Sequence, residues 1–413
     1  MIIKKLAFKN FKSFGENLEN QTFKDLDILT LIYGENNSGK SNILKFIDLV
    51  FKRKVDIGDS YVVEGQNINK PTGNSSFWKG KIINNAFLFH NNNRFDDVLF
   101  EIELGINISE IGKLENSKIL ISDLLIIKDY FNLKITGKII GLPDPYDSEI
   151  ILESVFINEK EIYFYQGGIP TRFFKDTSGT VLKGDSVTFE NLMGLLNDRI
   201  LFVDYNRFIH QEDRDNNLKR LNPDNFKNWL HNMTLDPVKY LIFEDYIQFI
   251  RDNSSGISLD VLTHFEPTFS IRENQIDVFL KSNSKRLPIN SFGTGIMQIL
   301  LILSLIYETN SRVILIEELE LNLSPKAQQE LLKILTNLLL SKKIDQVIFS
   351  SHSNILSKLS NLSVYEVKML ETGCSKIKYL SKPAKEFYQT DLKVLNEIAS
   401  AVRKYGVKGL EWD

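Results

Sequence analysis

The sequence predicts an α/β fold with a mixed or parallel sheet at its core, built from both ends of the chain. Near the N-terminus, an apolar run at 26–33 has the length of a buried parallel strand, and an amphipathic helix follows at 41–51. In the last third, a strand at 313–316, a helix at 324–341 and a strand at 346–349 alternate. Such alternation is typical of a parallel sheet covered by helices.

The middle of the chain looks like an insertion between the two halves of this core. Residues 53–93 are rich in Gly, Asn, Ser and Thr and predict loops or a mobile insertion. Runs bounded by turn residues then predict an antiparallel meander, with strands at 98–106, 125–140, 150–157 and 161–165. Helical patterns are predicted at 188–196 and 225–253, with a strand at 199–205.

The length of 413 residues suggests two or three domain-sized units. The predicted units are an α/β core at 1–57 and 265–413, a region of loops and antiparallel strands at 58–187, and a helical insertion at 188–264.

The amino-acid composition limits the classes of protein to which the chain can belong. The chain is 43% hydrophobic and 25% charged with a net charge of -3, so overall charge does not argue for nucleic-acid binding, although a local basic groove can bind it. The single cysteine, Cys374, excludes an intrachain disulfide and a cysteine-cluster zinc site. The N-terminus has no apolar signal segment, and the most apolar stretch, 296–307, is too short to span a bilayer. We therefore expect a cytoplasmic protein without membrane contact.

An octet between the first predicted core strand and helix matches the phosphate-binding pattern GxxxxGK[ST]. Its glycines allow backbone N–H groups to turn toward phosphate oxygens, and the helix N-terminus adds a favourable dipole. Lys40 would reach the β- and γ-phosphates of ATP, and Ser41 would ligate Mg²⁺. The octet comprises Gly34, Glu35, Asn36, Asn37, Ser38, Gly39, Lys40 and Ser41.

The strand at 313–316 ends in two acids, Glu317 and Glu318. A core strand of this kind delivers carboxylates to the edge of the sheet where α/β proteins bind ligands. Glu317 would hold the Mg²⁺ shell, and Glu318 would act as the base for the attacking water. The alternative is a core strand that runs into a solvated acidic turn.

Two other turns are candidate phosphate contacts. His352 follows the strand at 346–349 and would donate to a γ-phosphate, or else cap the following helix. Ser291, Gly293 and Gly295 form a Ser-x-Gly-x-Gly turn before an apolar helix, which indicates either an anion-binding helix start or a simple helix cap.

As a set, these motifs resemble the ABC-type ATPases of the RecF, SMC and OLD group, which belong broadly to the AAA-family ATPases. The similarity covers about residues 1–55 and 265–365. The matching strings are AFKNFKSF at 7–14 for the N-terminal strand, GENNSGKSNIL at 34–44 for Walker A, SFGTG at 291–295 for the signature loop, IEELELNLSP at 316–325 for Walker B with its D-loop, and SSHS at 350–353 for the switch.

The resemblance implies that ATP and Mg²⁺ are the cofactors. It implies catalytic roles for Lys40, Glu318 and His352, and metal binding by Ser41 and Glu317. Lys12 and Asn42 join the octet as nucleotide-binding residues. It also implies a homodimer, or a higher oligomer, that sandwiches nucleotide, with Ser291, Gly293 and Gly295 of one copy completing the site of the other.

The sequence departs from the group's pattern at several positions. Glu317 stands in place of the commoner Asp, Leu319 replaces the usual Pro, and Ser324 stands where His is common. No convincing Q-loop glutamine lies between residues 52 and 97. Slow hydrolysis, with ATP binding as the main signal, is compatible with these departures.

The long insertion lacks the heptad repeats of SMC coiled coils, and the stretch after His352 is too short for the Toprim nuclease domain of OLD proteins. The resemblance to compact ATPases of this group, without coiled coil or Toprim, implies an ATP-driven dimeric switch that regulates a separate effector protein in bacterial anti-phage defence, and this is the leading interpretation. The alternatives are a RecF-like DNA-binding repair ATPase and a nucleotide-dependent scaffold with little turnover.

DNA is a candidate partner through two basic clusters, 52–54 and Lys281 with Lys285 and Arg286, although solvated surface is the default for both. Arg207 is a candidate phosphate or interface arginine, with a structural ion pair as the equal alternative.

Overall fold

The computed structural model of the chain describes residues 1–16, 21–51, 62–64, 79–83, 88–93, 95–107, 130–141, 148–165, 172–175, 181–182, 196, 199–204, 207, 209, 221–272, 275–282, 285–353, 356 and 362–381. The chain divides into two compact units. Unit 1 comprises Met1–Phe202 and Ile348–Lys382, and unit 2 comprises Val203–Val347 and Pro383–Asp413. The domain boundaries expected from the sequence stay a prediction.

Strands and helices alternate in both halves of the expected core. In chain order the strands are β1 Ile2–Lys9, β2 Thr22–Phe23, β3 Leu29–Tyr33, β4 Val62–Glu64, β5 Lys79–Ile83, β6 Val98–Asn107, β7 Tyr130–Gly141, β8 Ser148–Ile157, β9 Lys160–Tyr165, β10 Arg172–Lys175, β11 Val181–Leu182, β12 Ile200–Val203, β13 Pro267–Arg272, β14 Gln275–Ser282, β15 Lys285–Pro288, β16 Val313–Ile316, β17 Gln346–Ser351, β18 Ser363–Met369 and β19 Ser375–Ser381. The α-helices are α1 Lys40–Phe51, α2 Phe226–Asn232, α3 Pro237–Asn253, α4 Asp260–Thr263, α5 Thr294–Thr309 and α6 Pro325–Leu340.

A ten-stranded antiparallel sheet lies in unit 1. Its strand order is β11-β10-β9-β8-β7-β6-β1-β2, with β5 paired to β8 and β4 paired to β5. The pairings of β6 with β7, β7 with β8 and β8 with β9 confirm the predicted meander. On the surface of this sheet, Lys5 Nζ lies 2.5 Å from Glu101 Oε1, and Lys134 Nζ lies 2.6 Å from Glu101 Oε2.

The prediction of loops throughout 53–93 is wrong for two segments. β4 and β5 lie within it, and β5 pairs with β8 from Lys79↔Ile151 to Ile82↔Ser148. Both strands are short and carry little apolar alternation, so pairing with a distant strand, rather than a local pattern, defines them.

The strand that precedes the glycine-rich octet is buried, as expected, but begins three residues later than predicted. Residues 26–28 form a turn instead, because the Asp27 backbone N–H donates to Thr30 Oγ1 and the Ile28 N–H donates to Asp27 Oδ1. β3 itself pairs in parallel with β18, from Ser363↔Thr30 to Glu366↔Tyr33. Parallel pairing next to helices confirms the predicted α/β class.

Helix α1 packs on β1 and the turn after it through phenylalanines. The Phe46 ring lies 4.9 Å from the Phe8 ring and 4.8 Å from the Phe11 ring, and Phe8 lies 4.9 Å from Phe14. All four side chains are fully buried. This cluster fixes the start of α1, and hence the octet, against the turn at residues 11–14.

Unit 2 holds the predicted helical region, but the continuous pattern at 225–253 is two helices. The first helix ends at Asn232, and Asp236 caps the second: its Oδ1 accepts hydrogen bonds from Val238 N at 2.8 Å and Lys239 N at 3.4 Å, and Pro237 occupies the first position of α3. An N-cap acid followed by proline starts a new helix, which explains the break.

The predicted helix at 188–196 lies outside the described residues except for Leu196, and the strand predicted at 199–205 is shorter, at Ile200–Val203. The apolar helix expected after the Ser-x-Gly-x-Gly turn and the elements predicted at 313–349 are confirmed. Among the described helices, none combines the length and apolar character needed to cross a bilayer.

Candidate functional site

The octet in unit 1 forms a tight loop between β3 and α1 in which two positions require glycine. Gly39 has a φ of +103°, and a Cβ there would lie 2.6 Å from Ser13 Oγ and 2.8 Å from Ser375 Oγ. A Cβ on Gly34 would overlap the carbonyl oxygen of Val367. Side chains at either position would therefore force the loop away from its neighbours.

A buried amine and a buried hydroxyl lie at the start of α1. Lys40 is 5% exposed, and its Nζ donates a 2.6 Å hydrogen bond to the carbonyl oxygen of Glu35. Ser38 Oγ is buried and has no hydrogen-bond partner among the described residues. Asn36 and Asn37 are exposed at the tip of the loop, and Asn37 has a φ of +62°. A cation, a hydroxyl and a helix N-terminus gathered at one point fit a phosphate group.

Two serines outside the octet brace it, and the sequence analysis missed their role. Ser375 Oγ donates a 2.6 Å hydrogen bond to the carbonyl oxygen of Ser38, and Ser375 N donates to the carbonyl oxygen of Ser13 at 2.7 Å. Asn42 Nδ2 in turn donates to Ser13 Oγ at 3.3 Å. The sequence does contain a signal for this hairpin. The runs at 363–369 and 375–381 alternate apolar and polar residues and flank a glycine-containing turn, a pattern that predicts a hairpin.

We expect replacement of Ser375 by Ala to weaken ATP binding about 3-fold to 10-fold, because one neutral hydrogen bond contributes roughly 0.5–1.5 kcal/mol to holding the loop. Titration of a fluorescent ATP analogue measures the change. Thr372→Ala, in the exposed turn of the same hairpin, is the control and should leave affinity unchanged. Equal affinities for the two variants would show that the brace does not shape the loop.

His352 lies directly after β17, beside the beginning of the octet. The Gly34 N–H donates to the carbonyl oxygen of Ser351 at 3.3 Å, and Ser351 Oγ accepts a 2.9 Å bond from Ser353 N. The side chain of His352 is exposed. Unit 1 therefore brings the predicted switch histidine to the same end of β3 as the phosphate-binding loop.

Lys12 occupies the turn that holds Ser13, with a φ of +52°. Its N–H donates to the carbonyl oxygen of Leu88, and its carbonyl oxygen lies 2.8 Å from His90 Nδ1. On the other side of that ring, Cys374 Sγ lies 3.4 Å from His90 Nε2. The predicted nucleotide residues Lys12 and Asn42 thus both lie around Ser13, next to the octet.

In unit 2 the predicted acids follow β16. Glu317 is 4% exposed, and its N–H donates a 2.9 Å hydrogen bond to the carbonyl oxygen of Val203, which extends the strand. Glu318 is half-buried and has a φ of +47°, so the chain turns sharply there. A non-glycine residue in the left-handed region is uncommon and must be held by its surroundings.

Arg207 supplies that support. It is 1% exposed, and its Nη2 donates a 2.6 Å hydrogen bond to the carbonyl oxygen of Glu318. Burial lowers the pKa of the Arg207 guanidinium, and the nearby carboxylates act in the opposite direction. Those carboxylates are Asp204, Glu320, Glu318 and Glu317.

The Ser-x-Gly-x-Gly turn precedes α5, also in unit 2. Ser291 and Gly293 are exposed, and nothing lies within 4 Å of a Cβ built on Gly293. Thr294 Oγ1 donates to the carbonyl oxygen of Asn322 at 3.4 Å, and a Cβ on Gly295 would lie 3.7 Å from that oxygen. The start of α5 therefore packs against the turn that follows the acids.

One basic cluster is partly neutralised. Lys281 Nζ and Arg286 Nη2 both contact the carboxylate of Glu266, at 3.4 Å and 3.1 Å. Residues 52–54 lie outside the described part of the chain. The shared carboxylate reduces the positive charge that Lys281, Lys285 and Arg286 could offer to DNA.

Comparison with known proteins identifies one family. A family model described as "AAA domain, putative AbiEii toxin, Type IV TA system" matches residues 29–358. A stretch of 111 residues, 27% of this chain, is 30% identical to an uncharacterized protein of Methanocaldococcus jannaschii. The chain spans 12% of the length of that relative.

Three solved structures align with this chain at low identity. A SmcHead bound to the C-winged helix domain of ScpA aligns with a TM-score of 0.48 at 16% identity, covering 94% of this chain and 100% of that one. The SMC head domain from Thermotoga maritima gives 0.43 at 15%, covering 92% and 100%. A Smc head with an extended coiled coil, bound to the C-terminal domain of ScpA derived from Pyrococcus furiosus, gives 0.45 at 13%, covering 97% and 99%.

Proposed function

Because this chain belongs to the AAA-domain family whose model matches residues 29–358, we propose that it is an ATP-hydrolysing switch that dimerises around nucleotide and regulates a separate effector. The family match also agrees with the resemblance of its motifs to compact ABC-type AAA ATPases. The observation that carries the proposal is the loop at 34–41, which buries Lys40 at the start of α1 beside an unpartnered Ser38 hydroxyl.

In this proposal the octet, together with Lys12 and Asn42, binds ATP. Lys40 exchanges its bond to the Glu35 carbonyl for bonds to phosphate oxygens, which are stronger acceptors because they are charged. Ser41 and Glu317 hold Mg²⁺, and a hydroxyl with a carboxylate is the hard-oxygen donor set that this ion prefers. When bound, Mg²⁺ supplies neutralisation of phosphate charge.

Hydrolysis is assigned to Glu318 and His352. Glu318 accepts the proton of the attacking water, as its position after the buried strand β16 supports. His352, exposed at the end of β17, donates a hydrogen bond to the γ-phosphate and senses its loss. Turnover is slow, in keeping with the departures of this sequence from the family's Walker B pattern.

Dimerisation is assigned to the turn before α5. Ser291, Gly293 and Gly295 of one copy contact the γ-phosphate bound by the other. Two features support this: Ser291 and Gly293 are exposed, and the turn leads into the N-terminus of α5, where a helix offers backbone N–H groups to an anion. The loop at 34–41 already provides one helix N-terminus for phosphate, so a second one is available to a second nucleotide.

Mixing two inactive variants tests this arrangement. Lys40→Ala removes the phosphate-binding amine, and Ser291→Arg blocks the turn that the partner needs. Each variant alone is expected to be inactive. In a symmetric dimer the mixture should recover about a quarter of wild-type ATPase activity, because half of the dimers are mixed and each has one intact site. Absence of recovery, with both variants folded, would contradict a site shared between copies.

The role in defence rests on the family description, which names a toxin and a type IV toxin–antitoxin system. We assign the chain to the nucleotide-dependent control element and place the effector activity in a separate protein of a bacterial anti-phage system.

A further inference from the structure

We propose that Arg207 is a positioning residue for ATP hydrolysis, which holds the turn at Glu318 in the conformation that presents its carboxylate. This inference rests on the proposed ATPase function and extends it to a residue distant in sequence from every nucleotide motif. Its basis is the contact between the Arg207 guanidinium and the Glu318 backbone within unit 2.

The Arg207 guanidinium contacts the backbone at Glu318, a residue in a strained conformation. Glu318 has a φ of +47°, a conformation that costs a non-glycine residue energy unless its surroundings fix it. Arg207 Nη2 donates to the Glu318 carbonyl oxygen at 2.6 Å, and the Leu321 N–H donates to the same oxygen at 2.9 Å. Two donors thus converge on the oxygen that sets the direction of the turn.

The charge of Arg207 matches its surroundings. The side chain is 1% exposed and lies in the field of four carboxylates, those of Asp204, Glu317, Glu318 and Glu320. The four carboxylates repel one another, and a buried cation among them offsets part of that repulsion. Arg207 therefore stabilises both the backbone conformation at Glu318 and the cluster of negative charges around it.

The unused donors of Arg207 argue against a purely structural ion pair. Its Nε and Nη1 are buried and make no hydrogen bond to any residue in the described part of the chain. An arginine in a structural ion pair frequently places its planar fork against a carboxylate in bidentate geometry. Here a single Nη2 bond goes to a backbone oxygen, so the side chain is directed at the conformation of Glu318 and not at a single ion pair.

The test measures kcat and the Kd for ATP separately in two variants, Arg207→Ala and Arg207→Lys. Lysine keeps the charge and loses the planar fork. We expect kcat to fall about 10-fold to 100-fold in the alanine variant, as for a catalytic group displaced by about 1 Å, with an intermediate fall in the lysine variant. The Kd for ATP should stay within about twofold in both, because the phosphate-binding loop is unchanged. Equal losses of affinity and turnover, or no loss in turnover, would overturn the proposal.

A double-mutant cycle with Glu318→Asp provides the second readout, since the shortened acid leaves turnover to measure. If Arg207 acts through Glu318, the combined loss in kcat is smaller than the product of the single losses. If Arg207 only stabilises the fold, the combined loss in kcat equals the product of the single losses. Should the alanine variant not fold, the lysine variant decides, and failure of both to fold would assign Arg207 to stability alone and overturn the proposal.

The proposed function and this inference fail in different ways. A wild-type chain that neither binds nor hydrolyses ATP would contradict both the proposed function and the role of Arg207. A wild-type chain that hydrolyses ATP, loses that activity on Lys40→Ala and keeps it on Arg207→Ala removes only the role of Arg207.

Discussion

Replacing Glu318 by Gln is expected to lower kcat for ATP hydrolysis about 10²-fold to 10⁴-fold, the contribution typical of a general base. Glutamine has nearly the same shape but cannot take the proton of the attacking water. The hydrogen bond from Arg207 goes to the backbone oxygen of residue 318, so it survives the substitution. The Kd for ATP should therefore change little, and the loss should appear in turnover.

The same variant should accumulate as an ATP-bound dimer, because hydrolysis would no longer separate the two copies. Analytical ultracentrifugation with ATP and with ADP measures this: the Glu318→Gln chain is expected to sediment as a dimer in ATP and as a monomer in ADP. Glu244→Gln is the matched control, since Glu244 is an exposed glutamate on α3 in the same unit. A Glu318→Gln chain with wild-type turnover that stays monomeric in ATP would contradict both the base and the sandwich dimer.

The phosphate-binding loop was predictable because its chemistry is local. A buried strand, a glycine-containing loop and an amphipathic helix follow one another directly, and each is defined by neighbours within a few residues. The strand β16 with Glu317 and Glu318 was predictable for the same reason, since four consecutive apolar residues end in two acids.

The bracing of the loop was not predictable, because it depends on pairing between distant segments. Ser375 meets Ser38 only because β18 pairs with β3 and the hairpin turns back toward Ser13. The sign of φ at Glu318 is likewise invisible in the sequence, where glutamate favours the helical region. The same applies to β5, whose strand character comes from pairing with β8.

Replacing Lys40 by Ala is expected to weaken ATP binding about 100-fold or more, because two charge-assisted hydrogen bonds to the phosphates contribute roughly 1.5–3 kcal/mol each. The structure supports a large effect. Lys40 is 5% exposed and lies at the N-terminus of α1. No other residue of the octet carries a positive charge, so nothing in the loop replaces the lysine amine. Alanine favours helix formation, so α1 should still begin at residue 40.

Lys45→Ala is the matched control for this variant, since Lys45 lies one turn further along α1 and is partly exposed. Titration with a fluorescent ATP analogue should separate the two variants, while their thermal unfolding stays similar. In cells that carry the chain with its flanking genes, Lys40→Ala should abolish protection in a phage plating assay, and Lys45→Ala should retain it. Protection that survives the loss of ATP binding would mean that the effector acts without the switch, which would leave the ATPase assignment intact and remove the proposed regulatory role.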